Sequence, residues 1–502
     1  MLRSAVRVFV GAVLAAALAA AAPARAEPDL TLRGTMTGAD HQTYREVPFR
    51  VPRGVTRLTV EFEYTGREQR SVIDLGLRDP QRFRGWSGGN KAKFTLAETF
   101  ATPSYLAGPL IPGEWRLILG VPNLRQGARA DYVAKITFGR EGDFKGFAEA
   151  PLRAGPGWFR GDLHLHTGHS DGACADRSGG RGPCPLHLTL EAAAARGLDF
   201  VAVTEHNATS HHQAMAELQP HFTDLLLIPG REITTFYGHA NVFGSVEPLD
   251  FQLGGPRAPS LEAILDQAER AGAVVSINHP AMPSGEICTG CGWTAKTDYG
   301  RIQGVEVVNG GTLAQTGSDA LFSGVPFWEA RLDEGRRITA LGGSDNHDAA
   351  RPAGQASAVG VPTTVVWAEN LSQPAILAGL RSGRVFVDVA GAKDRIIDLT
   401  AAADGRTTPM GGDLSAAAGE LVTFEIAVKG AAGGRLVLAG PAASKLVGET
   451  GAALGADETR RLTWTSDGEP GWLRAEVRGP EGQLWLLGNP IYLNRKAPGP
   501  AR

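Results

Sequence analysis

His164 and His166 stand two residues apart in Gly161-Asp162-Leu163-His164-Leu165-His166-Thr167-Gly168-His169-Ser170-Asp171-Gly172. On an extended strand, residues i and i+2 face the same side, so both imidazoles can chelate one ion. A lone His-x-His is a weak signal in a chain of this length. Here more candidates follow at the ends of nearly all the later apolar runs. Asp199 to Thr204 ends in Glu205-His206-Asn207, and Leu225 to Ile228 runs into Pro229-Gly230-Arg231-Glu232. Ala273 to Ile277 ends in Asn278-His279-Pro280, Ile338 to Gly343 ends in Ser344-Asp345-Asn346-His347, and Gly238-His239-Ala240 supplies one more. Hydrogen-bonded core histidines would account for one or two of these positions. They would not account for a His or carboxylate at five strand ends, because such groups are costly to bury without a metal or counter-charge.

The elements that must position these residues are strands alternating with helical segments, such as Ser260 to Arg270 and Pro374 to Leu380. That alternation predicts an α/β domain with a largely parallel sheet or barrel over 157–395. In a βα barrel the C-terminal strand ends converge on one mouth, so ligands distant in sequence become neighbours. Eleven of the twelve histidines, all except His41, fall in this stretch. Before it, 27–150 holds short alternating stretches such as Leu58-Thr59-Val60-Glu61-Phe62, separated by Gly and Pro turns, and is expected to be a β-sandwich. A second small β-sandwich is expected over 396–495, and 496–502 is a Pro-rich tail expected to be disordered. Trp86, Trp115, Trp464, Trp472 and Trp485 in the two sandwiches fit core aromatics better than sugar platforms.

At the N-terminus, Arg3 and Arg7 precede an apolar run from Val8 to Ala22 and the small-residue site Ala24-Arg25-Ala26. This reads as a secretory signal peptide over 1–26, with a retained anchor as the competing reading. It places the mature protein outside the cytoplasm, periplasmic or secreted, with no membrane span. Cleavage would leave 47 basic against 53 acidic side chains, a net charge of about −6. With no basic field or Lys/Arg run, polymeric nucleic acid is disfavoured as the main substrate. Four cysteines in an exported chain favour disulfides over redox or zinc chemistry. Loop closure favours Cys174 with Cys184 and Cys288 with Cys291.

The ordered set Asp162-Leu163-His164-x-His166, Ser170-Asp171-Gly172, Thr204-Glu205-His206-Asn207, Glu232, Gly238-His239-Ala240-Asn241, His279 and Ser344-Asp345-x-His347 resembles the PHP (polymerase and histidinol phosphatase) superfamily. More closely, it is similar to the exported branch that includes carbaryl hydrolase (CehA/McbA-like). The resemblance covers roughly 157–395 and implies a distorted seven-stranded βα barrel that acts mostly on phosphoesters. It further implies that His164, His166, Glu232 and Asp345 hold a first metal, and that Glu232 bridges to a second held by His239 and His279. Asp171, His206 and His347 would hold a third; the same pattern favours Asp171 over His169. Glu205 stands where the family has Asp, which suits a supporting partner rather than a ligand. Imidazole with carboxylate suits two or three ions of Zn, Mn or Fe. The expected nucleophile is then a metal-bound hydroxide, with Glu232 and Asp345 completing the catalytic centre.

Three dications against three carboxylates leave roughly +3, which favours a small anionic substrate such as a phosphate ester. Arg231 and Arg351 are candidate phosphate clamps, set against ordinary surface or helix-end roles. The competing reaction is hydrolysis of a carbamate or carboxylic ester; an inactive surface binding protein is the third possibility, against which the full ligand set argues. His211 and His212, in a polar stretch, are expected to be solvated.

Overall fold

The computed structural model describes residues 27–286, 288–317, 322–448 and 451–495; the expected leader 1–26 and tail 496–502 lie outside the described residues. The first unit pairs two four-stranded antiparallel sheets. The strand Arg57–Tyr64 shows why: Leu58, Val60 and Phe62 are buried while their neighbours are not, the period of two that a sheet with one face on a core requires. Trp115 is fully buried in this core, and Trp86 is half-buried. The sandwich is tied to the next unit by Gln213, whose amide exchanges hydrogen bonds with the backbone of Ala101 (2.6 and 2.8 Å).

The central unit is organised around seven strands: β1 (Gly157–Asp162), β2 (Phe200–Val203), β3 (Leu226–Thr235), β4 (Gly238–Phe243), β5 (Val274–Ile277), β6 (Gly304–Asn309) and β7 (Thr339–Gly343). They lie in the order β7-β6-β5-β4-β3-β2-β1, and two more, β8 (Thr363–Ala368) and β9 (Val385–Asp388), continue past β1. Strands β2, β5, β6 and β7 are buried along their whole length, as parallel strands covered on both faces must be. The helix Leu261–Arg270 supplies part of that cover: Leu261, Ile264, Leu265 and Ala268 are buried at the 3- and 4-residue spacing of a single helix face.

The expected barrel needs correction in two respects. Strand β4 runs antiparallel to both β3 and β5, so a hairpin interrupts the βα alternation. The ring is also not closed by a ladder, because β8 occupies the edge of β1 over 157–161. Beyond β7 the chain instead touches the extension of β1 through one parallel bridge, Leu165 to Asn346, where His166 N donates to Asn346 O at 2.9 Å. The buried Asp162 carboxylate reinforces the seam by accepting from Ser344 N and His164 N with Oδ1 and from Gly360 N with Oδ2.

The C-terminal sandwich also differs from a separate domain. One layer is its own, built from Arg406–Pro409, Ile396–Ala403, Leu421–Lys429 and Asp457–Thr465. The other is continuous with the central sheet, because Leu484–Gly488 pairs antiparallel with β9. Phe386 of β9 and Val365 of β8 therefore pack into the C-terminal core, beside Trp464. Trp472 is buried too and Trp485 half-buried, so these aromatics serve packing.

Arg160 of β1 locks this junction. Its Nη2 reaches the fully buried Asp388 at 2.5 Å and Ala392 O, and Nη1 reaches Arg395 O at 3.2 Å. Burial pushes the Asp388 carboxyl up, against the opposing pull of the guanidinium. Removing one partner of a buried pair leaves the other uncompensated. Arg160→Ala should therefore destabilise the central sheet by about 3 kcal/mol, and adding Asp388→Asn should recover part of the loss; urea unfolding of the two variants measures both.

Candidate metal centre

The chain leaves β1 still extended, so Leu163 and Leu165 bury on the outer side while His164 and His166 turn inward. The other ligand candidates are aimed by sharper devices. Asn207, His279 and Asp345 adopt φ of +52°, +26° and +51°, a left-handed region that costs non-glycine residues of order 1–3 kcal/mol each. Each is held there by its surroundings. Asn207 exchanges hydrogen bonds with the backbone of Thr234 (2.9 and 3.0 Å), His279 N donates to Glu306 Oε2 (3.0 Å), and Ser357 Oγ donates to Asp345 O (3.1 Å).

The result is a single pocket centred on the buried Glu232 carboxylate. Five imidazoles approach it within 3.5 Å: His206 Nδ1 at 2.8, His239 Nδ1 at 3.3, His279 Nε2 at 3.4, and His164 Nε2 and His166 Nε2 at 3.5 Å. Asp345 Oδ1 lies 3.4 Å from His164 Nε2 and 3.2 Å from His166 Nε2. Towards solvent, Asp171 faces His347 Nε2 at 3.3 Å and His206 Nε2 at 3.7 Å. Donor atoms thus gather into overlapping groups of a size that would hold an ion: His164-His166-Asp345, His164-Glu232-His279, His206-Glu232-His239 and His166-Asp171-His206-His347. All nine ligand candidates are brought together. The grouping shares His164, His166, His206 and Glu232 between neighbouring positions, and it puts His239 and His279 in separate groups with Glu232.

Buried polar atoms of these residues lack a hydrogen-bond partner: His164 Nε2, both ring nitrogens of His166, Glu232 Oε2, His239 Nδ1 and His279 Nδ1. Such atoms are costly unless something fills the gap, and divalent cations are the group that this N/O donor set fits. The electrostatics point the same way. Burial alone would lower the pKa of His164, but Asp345, Glu306 and Glu232 raise it well above its usual value. Burial opposes ionisation of Glu232 and Asp345 too, yet their histidine neighbours hold both well below the carboxylate range. At the rim, His347 overcomes the effect of burial through Asp171 and Asp345 to reach about 9, and Asp171 is held at about 2. Carboxylates that hold positive charge on the rings hold it equally well on a cation.

A supporting layer fixes these side chains. Glu306, fully enclosed in β6, faces His164 Nδ1 at 2.9 Å and accepts from His279 N and Asn309 Nδ2. Asn278 Nδ2 donates to Glu232 Oε1 at 2.9 Å. Glu205 accepts from Thr167 N (3.0 Å) and from the hydroxyls of Thr167 and Ser170, so it braces the loop that carries Asp171. Gly343 is required here, because a Cβ would collide with Glu306 Oε1 and His164 Cβ.

The remaining candidate residues have partners of their own. Arg231 precedes Glu232 in β3, so strand alternation sends it to the opposite face, where Nη2 donates to Leu249 O at 2.6 Å. Arg351 is exposed, and its Nη1 bonds Ala356 O within its own loop. His169 Nδ1 faces Ser210 Oγ at 2.8 Å. His211 and His212 are buried rather than solvated, because both face the Gly230 carbonyl from a helix packed on the sheet; burial drives their pKa values down and keeps them neutral. Glu306, Asn278 and Asn309 were not among the sequence candidates. The one available signal was a Glu inside the otherwise apolar run Val305 to Val308, which a buried strand tolerates only with a partner. Cys174 pairs with Cys184 across a two-stranded ribbon beside the Asp171 loop, and Cys288 pairs with Cys291 in the loop after His279.

No family model and no curated protein matches the chain. Among solved structures it is similar to a two-domain protein from Bacteroides vulgatus ATCC 8482 containing a predicted PHP-like metal-dependent phosphoesterase. That similarity has 20% identity over 68% of this chain and 97% of that one, with a TM-score of 0.36. Likeness at that level carries no weight in the functional reading, which rests on the site.

A carboxylate on the far nitrogen of a ligating histidine sets its tautomer and basicity, and losing one typically costs 10–100-fold in metal affinity. Glu306→Gln should keep the fold but weaken binding of the first ion by roughly that factor, as measured by competition with a chromophoric chelator.

Proposed function

We propose that this pocket holds two or three divalent ions, Zn, Mn or Fe, and hydrolyses a phosphate ester of a small substrate. The observation that carries the reading is the convergence of five imidazoles and an amide on one buried carboxylate, with orphaned donor atoms among these residues. The order of the motifs, which resembles the PHP superfamily, supports it. His164, His166, Asp345 and Glu232 would hold one ion, Glu232 with His239 and His279 a second, and Asp171, His206 and His347 a third.

Bound divalent ions would supply an activated water and stabilise the charge of the attacking and leaving oxygens. The chain's own residues do the positioning. Glu232 links two donor groups and sets their separation, while Glu306 holds the His164 ring with Nε2 inward. Asp171 and His347 are the most exposed members, at 56% and 38% side-chain exposure, and stand where substrate would arrive. With three ligand carboxylates and the enclosed Glu306 neutralising only part of the charge of three dications, the pocket would attract an anion.

A carbamate or carboxylic ester is the second reading. It is favoured by the position of Arg231, which strand alternation turns away from the pocket. Export to the periplasm or beyond is part of the proposal. Paired cysteines fit an oxidising compartment, and no helix among the described residues is long and apolar enough to cross a membrane.

Chelation should abolish turnover and lower thermal stability, and Mn or Zn should restore both, because a ligand of the native state stabilises it by mass action. Turnover of matched phosphomonoester, phosphodiester, carboxylic ester and carbamate substrates decides the reaction; cleavage of the carbonyl compounds alone would replace the phosphoester reading. Glu232→Gln should lose several orders of magnitude in activity and more than one equivalent of metal, whereas His347→Ala should keep residual turnover at high metal concentration. Metal content and rates for the two variants check that ranking.

A further inference from the structure

The loop after His279 returns over the pocket and brings Cys291 into it. Cys291 is fully buried, and its sulfur lies with donor atoms of His239 and His279 in a group whose members are all within 4.8 Å of one another. The turn that carries it touches the same ring: His239 Nε2 faces Thr289 O at 3.3 Å. His239 Nδ1 and His279 Nδ1 are buried without hydrogen-bond partners. The neighbouring Cys288 is only half-buried, so the pair has one sulfur facing outward and one facing the histidines.

This arrangement has two chemically distinct states. Paired with Cys288, Cys291 is a poor donor, and His239 with His279 would leave an ion's remaining positions open, as catalytic zinc sites do in part. Released, the same sulfur joins the two imidazoles as a thiolate, a donor that zinc and cobalt favour. The geometry points to the Cys288–Cys291 pair as a redox lock: reduction by a dithiol frees Cys291 to bind an ion held by His239 and His279 and to fill one of its open positions.

The exchange is balanced. A dithiol attacks the more accessible Cys288 sulfur, the Cys288–Cys291 bond breaks, and the Cys291 sulfur leaves. A second exchange restores the Cys288 thiol and oxidises the reductant to its disulfide, so two electrons and two protons pass to the pair. The Cys291 thiol then gives up its proton on binding the ion. In an oxidising compartment the pair stays closed and the position open, whereas in a reducing one the centre is capped.

The inference rests on the pocket holding divalent ions, and the test separates the two claims. Full-length protein is loaded with Co(II), and bound cobalt and the near-ultraviolet spectrum are recorded for the oxidised wild type, the dithiol-treated wild type, Cys288→Ser and Cys291→Ser. Bound cobalt should be comparable in all four. A sulfur-to-cobalt charge-transfer band should appear only in the dithiol-treated wild type and in Cys288→Ser, where no reductant is needed. Cobalt bound to Cys288→Ser without the band, with Cys291 still open to alkylation, would overturn the lock while leaving the cation reading intact. Should Cys288→Ser fail to fold, the presence or absence of the band in the dithiol-treated wild type decides the same question, with Cys291→Ser under dithiol as its control. Failure of cobalt to bind to any form would overturn the cation reading and the lock with it.

Discussion

A single carboxylate, that of Glu232, sets the terms for the rest of the central unit. It is almost completely removed from water, and the desolvation of an ionised carboxylate costs several kcal/mol unless opposing charge and hydrogen bonds replace the lost solvent. Five imidazoles within 3.5 Å and the Asn278 amide supply part of that replacement, and Oε2 keeps no hydrogen-bond partner. Those six groups come from four places in the chain, so the carboxylate obliges β1, β2, β4 and β5 to deliver their ends to one point. The left-handed backbones of Asn207, His279 and Asp345 are what that delivery costs locally.

Strain of this kind persists only where the surroundings over-determine it. Around the pocket they do so in layers. Glu306 ties His164, His279 and Asn309 together, Asp162 ties the ends of β1 and β7 to Gly360, and Glu205 ties Thr167 and Ser170. Outside these lies continuous apolar packing, with β2, β5, β6 and β7 buried throughout. The N-terminal sandwich takes part as well: His212 Nδ1 faces Thr99 Oγ1 at 3.3 Å on one side while its Nε2 faces the Gly230 carbonyl on the other, two residues before Glu232. The flanking β units therefore act as buttresses to the centre and are not freely tethered modules. Continuity of the sheet through β9 makes the same point at the other end.

Much of this organisation is local, and local patterns are legible in one dimension. A period of two on Leu163-His164-Leu165-His166 decides which side chains share a face, whatever the strand later packs against. Runs such as Phe200 to Val203 read as buried strands, and a polar residue just past such a run reads as a strand-end group. The mixed α/β class, the candidate donor residues and the cysteine pairs that close short loops were legible in such features. Arg231 shows the limit even here, since the alternation that turns Glu232 inward turns Arg231 away, and its chemistry alone made it look like a clamp.

The amino-acid sequence by itself determined which donors exist and that they sit where strands end, because donor identity and strand period are properties of short segments. Only the tertiary structure decided that Glu232 is the centre, that His164, His166 and His206 are shared between groups, and that Glu306 and Cys291 lie beside the same histidines. It also decided that β8 displaces β7 from the edge of β1, leaving a single bridge to close the ring, and that the last domain shares its sheet with the middle one. These depend on strand pairing between segments up to a hundred or more residues apart. No period within either partner encodes which free edge it will meet.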